Sequence, residues 1–152
     1  MSEMVPSPNK GAVAPRGETV TFHEIVKLHP RPSEVDRETL LRCVDECLDC
    51  AASCTACADA SLSEPDVTEM LRVIRLCNDC ADECDATRRI VTRQTMPDLS
   101  LMRAMLKACS TACVACAEEC DLHAAYHEHC RLCAGECRRC KQACDDLLEA
   151  IA

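Results

Sequence analysis

Apolar positions recur at steps of three and four residues through most of the chain after residue 33, and cysteine fills many of them. Five cysteines stand between residues 43 and 57, separated by four, three, four and three residues. This spacing keeps side chains on one face of an α-helix, where leucine or isoleucine normally forms the core. The pattern therefore predicts several helices that share an interior stripe of thiols. The cysteines of the stripes are Cys43, Cys47, Cys50, Cys54, Cys57, Cys77, Cys80, Cys84, Cys109, Cys113, Cys116, Cys120, Cys130, Cys133, Cys137, Cys140 and Cys144.

Three residue pairs predict where helices begin, because each places a hydroxyl group three residues before an acid. The hydroxyl oxygen accepts from free backbone N–H groups, and the acid is favoured in the positively polarised first turn. We predict helices over about 34–61, 64–93 and 96–124, then a tight turn near 124–128 and a fourth helix to about residue 150. The pairs are Ser33 and Asp36, Ser63 and Asp66, and Thr95 and Asp98.

Four helices of similar length with short connections predict an all-α protein, an antiparallel up-down four-helix bundle with cysteines lining the core. We assign the bundle to residues 33–152. Residues 1–32 hold most of the prolines and all but one of the glycines, so we predict a flexible N-terminal arm there, with one possible short helix over 18–28. His23 and His29 of this arm are expected to be solvated.

The stripes end differently at the two ends of the predicted bundle. Aliphatic residues finish the stripes at one end and predict an apolar plug: Leu40, Thr87, Val91, Leu99, Met102, Leu106, Leu147 and Ile151. The other end gathers soft or borderline metal ligands and predicts an open mouth: Cys57, Met70, Cys120, His123, His127 and Cys130. His129 falls off the stripe, and we predict that it is exposed.

Cysteine makes up 17 of the 152 residues, far above ordinary usage. Secreted disulfide scaffolds reach such densities, but they are rich in loops, whereas this chain is predicted to be helical. The first residues show no apolar export signal and no twin arginine, so we expect a reducing cytoplasm. Cysteines there more often bind metal or catalyse than form cross-links.

The formal net charge is −9, and many acids stand between the cysteines, as expected for a solvated outer face. Nucleic-acid binding is disfavoured, because it needs a basic stripe and stacking aromatic rings, and the chain has only Phe22 and Tyr126. We also expect no membrane partner, since no apolar run approaches membrane-spanning length.

Six CxxC and seven CxxxC pairs overlap from end to end, so the spacing favours a continuous row of metal ions over one site. A Zn²⁺ ion with four thiolates carries a net charge of −2, and stacking such sites in a narrow core is costly. Cu(I) replaces one proton per thiol, keeps the core near neutral and accepts two or three sulfur ligands. We therefore predict a capacity on the order of 15 to 20 Cu(I) ions per chain.

Two alternatives remain open. A zinc or mixed-metal thiolate store would use the same ligands. An iron–sulfur electron carrier would need a local pocket of four thiolates, and the bacterial C-x₂-C-x₂-C spacing does not occur in the sequence. A catalytic CxxC of the thioredoxin kind is disfavoured because no strand pattern precedes any of the motifs.

The CxxxC and CxxC stripes on every predicted helix resemble those of the cytosolic copper storage proteins, the Csp family, over about residues 34–150. The resemblance implies a four-helix bundle, usually a homotetramer, that stores many Cu(I) ions on inward-facing cysteines and has no catalytic activity. It also implies that His123 and His127 help metal to enter. A protein that donates or accepts copper is a further possible partner. The predicted second helix departs from the pattern, with three cysteines and with Met70 and Val73 where further thiols would fit.

Overall fold

The computed structural model describes residues 21–31 and 33–152, and its regular secondary structure consists of five α-helices. Within these ranges there is no β-strand, which confirms the all-α prediction. Residues 1–20 of the predicted arm lie outside the described part of the chain. The helices are α1 (Thr21–Lys27), α2 (Arg37–Leu62), α3 (Leu71–Thr92), α4 (Leu99–His123) and α5 (Glu128–Ala150).

Two of the long helices are capped at their N-termini by the acid of a predicted hydroxyl–acid pair, and not by its hydroxyl residue. Asp36 caps α2 by accepting from the Thr39 backbone N–H at 2.8 Å, and Asp98 caps α4 by accepting from Leu101 N–H at 3.0 Å. A carboxylate at this position satisfies an otherwise unpaired amide of the first turn. α2 and α4 therefore begin about three residues later than predicted.

The predicted start of the second long helix at residue 64 is wrong. Ser63 is the C-cap of α2, residues 64–70 form turns, and α3 begins at Leu71 after Met70. The Glu64 carboxylate is used instead by His127 and His129 on the far side of the bundle end. The predicted turn near 124–128 is found, because α4 ends at His123 and α5 begins at Glu128.

The four long helices pack around a common interior as a helical bundle, with α2 against α3 and α5, and α4 against α3 and α5. Cys43 near the start of α2 lies 4.0 Å from Cys144 near the end of α5, measured between the Sγ atoms. Cys57 near the end of α2 lies 3.3 Å from His129 at the start of α5, so these two helices run in opposite directions.

The short helix α1 packs on the outside of α2. Val26 of α1 is buried, and His23 Nε2 lies 2.8 Å from Asp45 Oδ1 of α2. The expectation that His23 is solvated is therefore wrong, since its side chain is only 20% exposed. His29 is half-buried and its Nε2 lies 3.2 Å from the Thr95 hydroxyl oxygen.

Aliphatic side chains close one end of the bundle. All the predicted plug residues are buried except Leu99, which is partly buried. Arg103 extends across this end and donates to the Ile151 carbonyl oxygen at 2.7 Å. Thr87 brings the one hydroxyl of the plug, which donates weakly to the Met105 carbonyl oxygen at 3.4 Å.

The helix α4 is long and apolar enough to cross a membrane, judged by length and composition alone. The expectation that no segment reaches such a length was therefore wrong for this helix. Its four cysteines and Ala117 count as apolar and are buried in the interior of the bundle, where they face the other helices.

Candidate metal centre

The thiols of all seventeen cysteines are buried in the bundle, with 0 to 2% exposure, and all are free. Neighbouring Sγ atoms lie 3.6 to 4.0 Å apart, as between Cys54 and Cys137 or between Cys80 and Cys84. A disulfide bond would require about 2.05 Å. The interior is therefore a reduced column of sulfur, as the three-four spacing predicted.

Each long helix supplies one wall of this thiol column. α2 and α5 carry five cysteines each, α4 carries four and α3 carries three. Steps of three and four keep every one of them on the inward face of its helix. α3 has the fewest cysteines of the four long helices. Met70, directly before α3, and Val73, within it, are fully buried at positions where further thiols would fit.

The thiols form groups of four whose sulfur atoms all lie within 4.8 Å of one another, a separation that a bound metal ion can span. Consecutive groups share a member: Cys140 belongs to the first and second, Cys50 to the second and third, and Cys133 to the fourth and fifth. The column therefore has no clear division into separate sites. Five of the groups are Cys47/Cys109/Cys140/Cys144, Cys50/Cys84/Cys113/Cys140, Cys50/Cys54/Cys80/Cys137, Cys54/Cys116/Cys133/Cys137 and Cys57/Cys77/Cys120/Cys133.

Of the six predicted ligands of the mouth, the three that are not cysteines are Met70, His123 and His127, which lie at helix ends opposite the plug. Met70 is fully buried there, and the His123 and His127 rings lie 6.3 Å apart between centroids. A carboxylate holds each ring: Glu119 Oε1 lies 3.5 Å from His123 Nε2, and Glu64 Oε1 lies 3.1 Å from His127 Nδ1. The side chains of the two histidines are 20% and 12% exposed, so both remain within reach of solvent.

The prediction that His129 is exposed is wrong. Its Nδ1 lies 3.3 Å from Cys57 Sγ and 3.5 Å from Cys130 Sγ, while its Nε2 lies 3.0 Å from Glu64 Oε1. Helical side chains lean towards the N-terminus of their helix, and residue 129 lies in the first turn of α5. The imidazole is therefore directed over the outermost thiols, although it falls off the cysteine stripe.

The thiols nearest the mouth differ in acidity. Hydrogen bonding with Cys120, and to a smaller extent with His129, lowers the pKa of Cys57 to about 7. Burial raises the pKa of Cys130 to about 12. For His129, burial disfavours the charged ring, but the hydrogen bonds with Cys57 and Glu64 outweigh it and raise the pKa. The mouth thus offers one thiol that is readily deprotonated near neutral pH, which is the form that binds soft metals.

Deeper in the column, Cys80 behaves like Cys57. Hydrogen bonding with Cys113, whose Sγ lies 3.8 Å away, lowers the pKa of Cys80 to about 7. At the closed end, hydrogen bonding with Cys144 raises the pKa of Cys43. The acidity of the thiols therefore varies along the column.

Comparison with known proteins places this geometry among metal-binding relatives. A family model described as copper storage protein matches residues 36–149, which extend from the cap of α2 almost to the end of α5. A search of curated proteins finds no match.

Several solved structures are similar to the chain. One is the copper storage protein Ccsp from Streptomyces lividans loaded with 10 copper equivalents, at 50% identity and a TM-score of 0.84, covering 86% of this chain and 99% of that one. Another is described as copper loading to a cytosolic copper storage protein from Streptomyces lividans, with five coppers. It is 54% identical over 74% of this chain and 93% of its own, with a TM-score of 0.73.

Proposed function

Because the chain belongs to the copper storage protein family, we propose that it stores and detoxifies copper in the cytosol by binding many Cu(I) ions on its buried cysteines. The observation that carries this proposal is the sharing of thiols between consecutive groups of four along the column. A catalytic or structural metal site needs one set of ligands. A run of overlapping sets suits bulk storage, in which each sulfur bridges neighbouring ions.

A single group of four thiols does not distinguish Cu(I) from Zn²⁺. The choice of Cu(I) depends on the sharing of thiols between consecutive groups. A tetrahedral Zn²⁺ site with Zn–S bonds of about 2.3 Å has sulfur–sulfur edges of about 3.8 Å, so a single group also suits zinc. If each Zn²⁺ ion held four thiolates of its own, filling successive groups would bury a charge of −2 at each one. Cu(I) binds two or three shared sulfurs and leaves the core near neutral. Zinc or mixed-metal storage is the second candidate.

The copper-binding domain is proposed to be an antiparallel up-down four-helix bundle, formed by α2 to α5 within residues 33–152. Opposite directions in the α2–α5 pair support this architecture, and so do the α3–α4 pairs of Cys84 with Cys109 at 3.7 Å and Cys77 with Cys116 at 3.6 Å. Under this proposal all seventeen cysteines are metal ligands. Residues 1–32 lie outside the storage domain, although α1 packs against it.

Copper is proposed to enter at the mouth through Met70, His123 and His127. Thioether and imidazole bind Cu(I) more weakly than thiolate, so an ion taken from a donor passes inward to tighter ligands. His129 joins this set, because it contacts both Cys57 and Cys130. The aliphatic plug at the other end leaves the mouth as the route for uptake and release.

The same proposal implies storage without catalysis and assembly into a homotetramer. A cytosolic location agrees with a relative described as cytosolic and with the reduced state of the thiols. Copper ions are the ligand, and a protein that donates or accepts copper is the expected partner.

An anaerobic titration of the reduced protein with Cu(I), against a chromophoric chelator, tests the proposal. The thiols are counted beforehand. Binding should continue well beyond four ions per chain, and saturation at four or fewer would contradict storage. Addition of Zn²⁺ to the loaded protein should displace little copper, whereas displacement of most of it would favour the zinc store.

A further inference from the structure

The mouth carries a set of oxygen and nitrogen ligands on the outside of the thiol column. Glu64 Oε1 lies 3.1 Å from His127 Nδ1 and 3.0 Å from His129 Nε2. These three side chains, which we call the carboxylate–imidazole set, are 12 to 27% exposed, so an ion in solution can reach them. Asp66 Oδ2 adds a further carboxylate 3.7 Å from the other nitrogen of the His127 ring.

The spacing within the carboxylate–imidazole set suits one divalent metal ion. Metal bonds of about 2.0–2.2 Å to nitrogen and oxygen, set at right angles, separate neighbouring ligand atoms by about 2.8–3.1 Å. Both distances from Glu64 Oε1 fall in this range. Nitrogen and oxygen ligands in a tetragonal arrangement are typical of Cu(II), whereas Cu(I) prefers sulfur. The mouth therefore joins a set of ligands for Cu(II) to a column of ligands for Cu(I).

The charge around the mouth favours the approach of a divalent cation. Residues 59–72 and 118–131, the two segments that surround the mouth, contain eight acids and two arginines. An excess of acids over basic residues raises the local concentration of cations. Because this excess acts before any ligand is bound, it delivers ions to the carboxylate–imidazole set first.

His129 connects the carboxylate–imidazole set to the thiol column. Its Nε2 faces Glu64 and its Nδ1 lies 3.3 Å from Cys57 Sγ, so one ring contacts both an oxygen ligand and a thiol. A Cu(II) ion bound at Nε2 would be separated from Cys57 only by the imidazole ring. Cys57 also belongs to a group of four cysteines whose sulfur atoms lie within 4.8 Å of one another. An electron donor and a sulfur with which it can form a disulfide bond are therefore both present.

We propose that the mouth reduces Cu(II) to Cu(I), with Glu64, His127 and His129 holding the Cu(II) ion and Cys57 supplying the electron. The ions react in pairs, and each Cu(II) takes up one electron. Cys57 and a second thiol of its group together lose two electrons and two protons, and their sulfur atoms join in one disulfide bond. The two Cu(I) ions pass to the remaining thiols, and a low-molecular-weight thiol restores the oxidised pair by exchange.

This reaction goes beyond storage, although it rests on the proposed binding of Cu(I) by the column. The first test adds two equivalents of Cu(II) per chain, without oxygen, to the reduced protein. The electron paramagnetic resonance signal of Cu(II) should disappear, and the free thiols should fall by two from seventeen. A sample frozen early in the reaction should show Cu(II) coupled to nitrogen, because the ion binds to the imidazole rings before it is reduced.

Peptide mapping of the oxidised protein locates the electron donor. The disulfide bond should contain Cys57 in most chains. Disulfide bonds spread along the column, or formed at the closed end, would overturn the proposal, and so would an early Cu(II) signal with sulfur as its only ligand.

The second test compares the rates of variants by the loss of the Cu(II) signal. Cys57→Ser and Glu64→Gln should each slow the reduction by about tenfold or more, because one removes the electron donor and the other weakens the ion site. Cys43→Ser also removes one thiol, but at the closed end, and should slow it far less. Glu38→Gln removes an exposed acid at that end and should leave the rate unchanged. Equal rates in the four variants would refute a role of the mouth.

The anaerobic Cu(I) titration keeps this inference separate from the storage proposal. A chain that binds many Cu(I) ions but leaves Cu(II) unreduced would refute the reductase activity alone. A chain that reduces Cu(II) at Cys57 but saturates at four or fewer Cu(I) ions would support the activity and contradict storage. Far-ultraviolet circular dichroism checks that every variant remains helical.

Discussion

Replacing Cys54 by serine is expected to remove more bound copper than replacing Cys43 by serine. Cys54 Sγ lies 3.6 to 3.9 Å from the Sγ atoms of Cys50, Cys116, Cys133 and Cys137, and it belongs to two groups of four. Within the described part of the chain, Cys43 has one such contact, with Cys144 at 4.0 Å. If sulfurs are shared between ions, the two positions cannot have equal effects.

The size of the effect follows from the coordination of Cu(I). Each ion needs two or three thiolates, so loss of a sulfur that serves two groups should remove about two ions, whereas loss of a sulfur at the end of the column should remove at most about one. Serine nearly preserves the size of the side chain, but its hydroxyl is a hard and neutral ligand. A buried hydroxyl without a partner costs about 1–3 kcal/mol, so both variants need a check of helicity.

The assay is the anaerobic Cu(I) titration of both reduced variants beside the unmodified protein, with thiol counts that must each be one lower than seventeen. Ions bound per chain at saturation are the measured quantity. Equal losses from the two variants would refute the sharing of sulfurs. A Cys54→Ser variant of full capacity would refute the assignment of the column as the store.

Three further outcomes test other parts of the molecule. Leu106→Ala, at a fully buried plug position, should destabilise the metal-free protein by about 2–5 kcal/mol in urea while leaving copper capacity intact, and a loss below about 1 kcal/mol would show that the plug is not the main apolar core. Asp98→Ala should cost about 1 kcal/mol in the same assay because α4 loses its cap, whereas Asp98→Asn should cost far less, and equal costs would exclude capping as the cause. Alanine at both His123 and His127 should slow loading and chelator-driven removal in stopped-flow measurements with capacity nearly unchanged, and unaltered rates would place the mouth elsewhere.

The interior could be predicted well from the sequence, because helical periodicity alone decides which residues face inward. The spacing that placed Cys43 to Cys57 on one face of a helix also identified Leu106 and Leu147 as buried, and the structure confirms these positions. The turn between α4 and α5 was predicted from length, since a helix twice as long as its neighbours would have had nothing to pack against.

The contacts at the mouth were harder to predict from the sequence. Many of its residues lie in turns or at helix ends, where helical periodicity does not decide which side chains face inward. Glu64 and Asp66 read as the start of a helix, but their carboxylates lie 3.1 and 3.7 Å from nitrogens of the His127 ring. His129 could not be found from the three-four stripe, because it lies in the first turn of α5, where side chains lean back over the end of the helix. The available signal was its place directly before Cys130, in a run where histidine occurs twice in three residues.

The plug described at the end of the bundle has a consequence for the order in which the proposed copper store would empty. Leu40, Leu106 and Leu147 are buried and close one end of the thiol column. Copper bound beside the plug would therefore have to pass from one shared thiol to the next before it reached the mouth. Under the proposed storage role, copper near the mouth would exchange first and copper beside the plug last.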